Sequence, residues 1–329
     1  MEYKIDKTTD GKTVLEIMKK DLGISHATIK HLKFLENGIA LNGEHVTVRR
    51  TVSEGDVLSL AVEDTESPEK LTPCDLNLRI AYEDEDLVIP DKPSHMPTHQ
   101  SFGHYGDTVA NALAYRYAGL PFVFRPVNRL DRNTSGLLLI ARNRLSAAYL
   151  SNAMKEKRIS KQYIAVLSGA LEGDGGVIDT YMRRTAQSVI VRENCPEGEG
   201  GDRAITEYKV ICKSNTHTLV CASPITGRTH QLRVHFAGLG CPIEGDDMYG
   251  KASPLITRHA LHAFSLTLPL PSSGEELTVT APMHDDMCSL CRTVFGNLLD
   301  SIDKELLKKI LPPTEDKDND KISVQTQTV

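Results

Sequence analysis

The stretch Pro126-Val127-Asn128-Arg129-Leu130-Asp131-Arg132-Asn133-Thr134-Ser135-Gly136-Leu137-Leu138-Leu139-Ile140-Ala141 decides how the chain is read. One carboxylate, Asp131, stands between two arginines. A Thr-Ser-Gly turn follows, and then an apolar run that predicts a buried strand over 137–141. Flanking cations favour the ionised form of a carboxylate. A fixed, ionised carboxylate at a strand edge can act as nucleophile or base. The same aspartate can equally cap the Asn-Thr-Ser turn, an ordinary structural use of the residue.

Two clusters further along extend the pattern. In Thr226-Gly227-Arg228-Thr229-His230-Gln231-Leu232-Arg233-Val234-His235, Gly227 permits close backbone approach. Arg228 there is a fixed cation able to hold a carboxylate in a bidentate pair. Arg158-Ile159-Ser160-Lys161-Gln162-Tyr163 leads into a second apolar strand, 163–167. Tyr163 is either a core residue or a ring face and hydroxyl offered to a nucleobase.

Charge is segregated. The chain has 329 residues and a formal net charge of -6. Yet residues 125–161 hold nine bases and two acids, and residues 63–91 hold ten acids and two bases. A basic window inside an acidic chain is what a phosphate-binding face needs. Pairing of these bases with the acidic stretch is the plainer alternative.

Composition narrows the class. Hydrophobic residues make up 40% and charged residues 25%, an ordinary globular balance. No apolar run is long enough to span a membrane, and the polar start Met1-Glu2-Tyr3-Lys4 does not read as a secretion signal. The seven cysteines are therefore expected to be reduced thiols of a cytoplasmic protein. Cys288-Ser289-Leu290-Cys291 lacks the second pair that structural zinc requires, so no metal is expected. No phosphate-loop pattern G-x-x-x-x-G-K-[ST] occurs, so no nucleotide cofactor is expected either.

Length predicts about two domains. Residues 1–62 read as a first unit of two helices, a hairpin and a closing strand. Apolar spacing predicts a helix over 13–22, and Ser25 is the expected N-cap of a second. Asn37-Gly38 is expected to end that helix, with Gly38 left-handed. Asn42-Gly43 between short apolar runs signals a hairpin, and 57–62 a last strand. His26, Lys30 and Lys33 share the helix face opposite the apolar stripe, and Arg49 and Arg50 follow the hairpin. Residues 63–78 read as an acidic linker and 79–311 as one large domain. Helices are expected over 146–157 and 285–299. The polar tail 312–329 is expected to be disordered.

Taken together, these motifs resemble the pseudouridine synthases whose signature is R-L-D-x-x-T-S-G, a large family that modifies ribosomal and transfer RNA. Asp91-Lys92-Pro93, the 129–136 signature, Lys161-Gln162-Tyr163, the 226–235 run, Gly245-Asp246-Asp247-Met248-Tyr249-Gly250 and His259-Ala260-Leu261-His262-Ala263 stand in the family's order. Residues 1–62 are similar to an S4 RNA-binding domain. The resemblance implies an α+β fold: a small S4-like domain, then a mixed α/β catalytic domain on a central, largely antiparallel sheet. It implies that Asp131 is the catalytic aspartate, with Arg228 paired to it. Tyr163 would stack on the target uracil and serve as acid or base. Leu232 would line the pocket, and Arg129 would fill the gap left by a flipped nucleotide. His26, Lys30, Lys33, Arg49, Arg50 and Arg132 are the expected RNA-binding residues. Asn128 departs from the family, where many members carry His.

The chemistry agrees with this reading. Isomerising uridine breaks the N1 glycosidic bond, turns the base and rejoins it through C5. Glycoside hydrolysis usually takes two carboxylates, one to activate water. A single carboxylate in a site that excludes water favours rearrangement. Asp131 can attack C1′ of the ribose or remove the C2′ proton, and neither route takes a cofactor. The expected partner is RNA, first large-subunit ribosomal RNA and otherwise transfer RNA, acted on by a monomer. The rivals are a non-catalytic RNA-binding or ribosome-assembly factor on the same scaffold, and a nucleoside hydrolase.

Overall fold

The computed structural model describes residues 1–35, 37–61, 71–311 and 323–327. The first unit is a four-stranded antiparallel sheet with two helices. Its strands are β1 (Glu2–Lys4), β2 (Ile39–Leu41), β3 (Glu44–His45) and β4 (Val57–Leu60), in the order β1-β4-β2-β3. The helices are α1 (Val14–Glu16), which runs into a π-type turn at Ile17–Asp21, and α2 (His26–Leu32).

Local chemistry explains these boundaries. Thr13 and Glu16 form a reciprocal capping box at the start of α1. Ser25 Oγ accepts the Thr28 N–H at 3.1 Å and caps α2. Asn42 and Gly43 have φ of 52° and 83°, the paired positive values that a two-residue hairpin turn demands. Two local expectations need correction. Asn37, not Gly38, takes the left-handed position. Gly38 is needed for another reason: a Cβ there would sit 2.0 Å from the Leu32 carbonyl oxygen. Strand β1 is an addition to the expected elements, because its one inward side chain, Tyr3, leaves no alternation to read.

The large unit is built on a 13-stranded sheet. Its strands and helices run β5 (Arg79–Glu83), β6 (Leu87–Lys92), α3 (Val109–Arg116), β7 (Arg125–Pro126), β8 (Ser135–Leu137), β9 (Ile140–Ala141), α4 (Arg144–Lys155) and β10 (Ser160–Ser168). Next come β11 (Gly175–Arg184), β12 (Arg192–Cys195), β13 (Asp202–Lys213), β14 (His217–Pro224) and α5 (Gln231–Gly238). The last are β15 (Leu261–Pro269), β16 (Glu276–Thr280), α6 (Asp285–Phe295), α7 (Lys304–Ile310) and β17 (Ser323–Gln327). The main path is β12-β11-β13-β14-β10-β15-β8-β6-β9-β7, with β16 on β15, β17 on β16 and β5 on β6. Every described pairing is antiparallel except β8 with β15. The expected strand at 137–141 is thus two short strands, β8 and β9, on either side of Leu138-Leu139. Against the expected disorder of the tail, β17 pairs with β16 along 323–327; the rest of 312–329 lies outside the described residues. So does the first half of the acidic linker, 63–70.

One apolar core joins the two units. Tyr3, Ile17 and Leu22 of the first cluster with Tyr149, Leu150 and Leu266 of the second. Gly23 packs closely on α4, since a Cβ there would lie 2.9 Å from Asn152. Burial of such side chains stabilises by roughly 1.5–3 kcal/mol each. A separate core lies on the other side of the sheet, between α3, α5 and α6.

Candidate active site

Asp131 occupies the turn between β7 and β8, which the Thr134 N–H closes by bonding the Asp131 carbonyl at 3.0 Å. Gly136, at the end of the signature, has φ of 105°. A Cβ there would fall 2.3 Å from the Ala263 carbonyl oxygen, so only glycine allows β8 to lie against β15.

Buried polar groups support this turn from below. Lys92 is fully buried and donates to the carbonyls of Pro93, Met96 and Arg132 at 2.9, 2.9 and 3.0 Å. Burial, with Arg258 nearby, pulls its ammonium down to about 7. Arg258 forms a bidentate pair with Asp286 at 2.6 and 2.9 Å and donates to the Asn133 carbonyl and Ser135 Oγ, each at 3.2 Å. His259 Nε2 lies 2.8 Å from Thr134 Oγ1, and His262 Nδ1 lies 2.9 Å from Ser135 Oγ. The His262 Nε2 faces the Ala281 carbonyl at 3.0 Å, so Nε2 carries the proton and Nδ1 accepts from the serine. Burial, and then Arg233, pushes His259 down to about 3; burial, and then His284, pushes His262 down to about 4.

Above the turn opens a cleft of about 680 Å³. Asp131, Tyr163, Arg228, Leu232 and Arg129 all line it, together with Asn128, Lys161 and His230. Asp131 is the one acidic residue on its wall among the described residues. Tyr163 sits at a β-bulge in the β10–β15 pairing, between Gln162 and Tyr163. Such bulges re-aim a side chain. Burial, and secondarily Asp131, raises the Tyr163 hydroxyl well above the ordinary tyrosine value, so it holds its proton at neutral pH. Burial lowers the Lys161 ammonium. Asn128 uses its side-chain oxygen to accept the Leu139 N–H at 2.8 Å.

The expected partner of Asp131 is corrected by the structure. Arg228 lines the same cleft, but its Nη1 lies 3.6 Å from exposed Asp202 and its Nε donates to the Arg203 carbonyl. The cation at Asp131 is Arg233, whose Nη1 donates to Oδ2 at 3.3 Å. Arg233 is buried, bound bidentately by Asp246 at 2.7 and 2.8 Å, and lies over the Tyr249 ring at 5.0 Å. The arginines flanking Asp131 in sequence, Arg129 and Arg132, are both exposed. The cation bonded to Asp131 thus comes from a residue 102 positions away, on α5.

His230 adds a polar group beside the carboxylate. Its backbone is left-handed (φ 58°), which places Nε2 3.8 Å from Asp131 Oδ2 and Nδ1 2.8 Å from the Tyr249 hydroxyl. That hydroxyl accepts the Arg192 N–H, so it donates to Nδ1 and leaves the Nε2 proton facing Asp131. Burial lowers the His230 value and favours this neutral form. Asp246, Arg233 and Tyr249 lie within runs singled out in the sequence, but no local spacing assigns them to Asp131.

The expected RNA-binding residues His26, Lys30, Lys33, Arg49 and Arg50 are all exposed on the first unit, opposite buried Ile29 and Leu32. Arg132 is exposed beside His104, with Nη1 to Nε2 at 3.4 Å. Among the described residues no group of three or more His, Cys, Asp or Glu is placed to hold a metal ion. No helix among them is long and apolar enough to cross a membrane.

Comparison with known proteins agrees with this geometry. The RNA pseudouridylate synthase family model matches residues 86–238, a span that contains Asp131, Tyr163 and Arg233. The chain is 34% identical over 274 residues to the uncharacterised RNA pseudouridine synthase YjbO of Bacillus subtilis, covering 83% of this chain and 96% of that protein. It is 34% identical over 273 residues to ribosomal large subunit pseudouridine synthase D of Vibrio cholerae, covering 78% and 83%. Among solved structures, human RNA pseudouridylate synthase domain containing 1 aligns with a TM-score of 0.50 at 32% identity, covering 59% of this chain and 79% of that one. The matched span builds the cleft around its ion-paired carboxylate and bulge-aimed tyrosine, and the chain belongs to the RNA pseudouridine synthase family.

Proposed function

We propose that this enzyme converts specific uridines of large-subunit ribosomal RNA to pseudouridine, with Asp131 as the reacting carboxylate. The observation that carries the reading is Asp131, the one acidic residue lining the cleft among the described residues, held by buried Arg233 and sharing the wall with Tyr163. A second carboxylate to activate water is missing from that wall among the described residues, which favours rearrangement over hydrolysis. Asp131 attacks C1′ or takes the C2′ proton. The protonated Tyr163 offers a ring face to the uracil and a proton to the reacting base. Leu232 closes the apolar wall. Arg129 occupies the stack vacated by the flipped nucleotide, and Arg132 meets its backbone.

The ribosomal assignment is supported by the names of relatives such as the Vibrio cholerae enzyme. Residues 1–62 act in this reading as an S4-like RNA-binding domain, with His26, Lys30, Lys33, Arg49 and Arg50 on phosphates. The test is a pseudouridine map of total RNA from cells lacking the protein, complemented with wild type or Asp131→Ala. Sites in large-subunit RNA should vanish and return with the wild type alone, since loss of a reacting group typically costs about 10⁴-fold or more. Restoration in transfer RNA instead would move the substrate assignment. Full complementation by Asp131→Ala would replace catalysis with a scaffold role.

A further inference from the structure

The most exposed large hydrophobic side chain among the described residues is Phe102, at 96%. It stands at the tip of a tight turn closed by two backbone bonds, Ser101 N–H to the His104 carbonyl at 3.2 Å and His104 N–H to the Ser101 carbonyl at 2.9 Å. Gly103 takes φ of 80°, the positive value required at the second corner of such a turn. Tyr105, 61% exposed, follows it. The turn is anchored: the Tyr105 carbonyl accepts from Gln100 at 2.8 Å and from buried Asn111 of α3 at 3.0 Å.

Its position links it to the chemistry. His99, at its base, lines the catalytic cleft. His104 lies 2.6 Å from Asp107 through Nδ1 and 3.4 Å from Arg132 through Nε2. Arg132 is the neighbour of Asp131 in the chain, so the turn is coupled side chain to side chain with the catalytic loop. Exposed Arg129 and Arg132 place positive charge on the same rim.

We infer that the turn around Phe102 is a base-stacking platform for single-stranded RNA, holding a nucleotide that flanks the target uridine. The chemistry favours RNA over a protein surface. Two exposed aromatic rings on and beside a hydrogen-bonded turn, linked through His104 to exposed Arg132 and through His99 to the cleft wall, match the combination of stacking faces and phosphate-binding cations that single strands use. A rigid ring surrenders little conformational freedom on binding, which suits a platform. The inference rests on the proposed reading of the cleft as an RNA site and adds the residue that selects the flanking nucleotide.

The chain contains no tryptophan, so Phe102→Trp creates a single fluorescent reporter at the tip. The probe is a single-stranded, uridine-rich RNA oligonucleotide added to full-length protein carrying Phe102→Trp, with and without Asp131→Ala. Stacking quenches the indole emission in step with binding followed by anisotropy, and the quenching persists without the catalytic carboxylate. Phe102→Ala weakens RNA binding roughly tenfold and raises KM with kcat retained, while Phe102→Tyr keeps wild-type affinity. RNA binding that leaves the reporter unchanged overturns the inference, as does no binding at all or a Phe102→Ala protein that binds as tightly as wild type; the last result would leave the tip to a protein partner. Quenching by an enzyme that forms no pseudouridine would instead sink the proposed function and leave the platform standing.

Discussion

Two regions of this enzyme carry positive charge in opposite ways. Beneath Asp131, Lys92, Arg233 and Arg258 are buried, and they donate to carboxylates, carbonyls and the Ser135 hydroxyl. On the first unit, Lys30, Lys33, Arg49 and Arg50 stand in solvent. The buried set holds a few atoms in place at a high cost when any member is removed, because a charge left unpaired in the interior is expensive. The exposed set is soft and additive, and salt weakens it. In the proposed function, positioning and capture fall to different parts of the molecule.

The largest expected effect breaks the buried set. Arg233→Ala strips the cation from both Asp131 and buried Asp246. It should lower kcat by roughly 10²–10³-fold and destabilise the fold by about 3–5 kcal/mol, read by single-turnover kinetics and thermal melts. Arg228→Ala removes only an exposed ion pair and should cost about 1 kcal/mol or less in stability and far less in kcat. Equal losses from the two variants would return the ion pair to Arg228.

Acid probes the same floor more gently. His259 and His262 sit at about 3 and about 4 in the folded protein, below the ordinary value of 6.5. The unfolded chain binds their protons first as pH falls. Stability is therefore full above about pH 6.5 and declines toward about pH 4, by at most roughly 1.4 kcal/mol per pH unit for each histidine. A melting temperature that stays flat from about pH 7 to about pH 5 would show that these rings do not stay neutral.

The smallest effect falls on the exposed set. Lys30→Glu with Lys33→Glu should raise KM for RNA a few-fold at low salt and leave kcat intact. The salt dependence of binding should flatten by about one unit for each phosphate that the variant no longer neutralises. Identical curves for the variant and the wild type would detach α2 from the RNA.

The same division explains what can be read from the residues alone. Asp131 and Tyr163 stand out through local patterns, Leu232 only through the family resemblance, and all three line the cleft. Ser25 and the Asn42-Gly43 turn are likewise local devices and fold as their chemistry dictates. The partner of Asp131 is not legible in this way, because adjacency in sequence is a poor guide to it. Arg129 and Arg132 flank it yet are exposed, whereas Arg233 reaches it from α5. The residues supporting the turn are hidden for the same reason: nothing near Arg258 in the chain indicates that its donors end on Asn133 and Ser135. Strand β17 escapes a sequence reading because its polar residues carry no apolar alternation, and its pairing depends on the free edge of β16.

The parallel contact of β8 with β15 sets an order in time. It joins Ser135 and Gly136 to His262 and Ala263, strands that a growing chain makes far apart. A nascent polypeptide finished only through Tyr249 already contains Asp131, Tyr163 and Arg233. It still lacks Arg258, His259 and β15, and it lacks Asp286, which fixes Arg258. Pairings of such long sequence separation form late, after the cost of closing the loop has been met. The turn that holds Asp131 is therefore expected to be among the last parts of the chain to become rigid, and a chain interrupted before α6 lacks the Asp286 partner of the arginine beneath it.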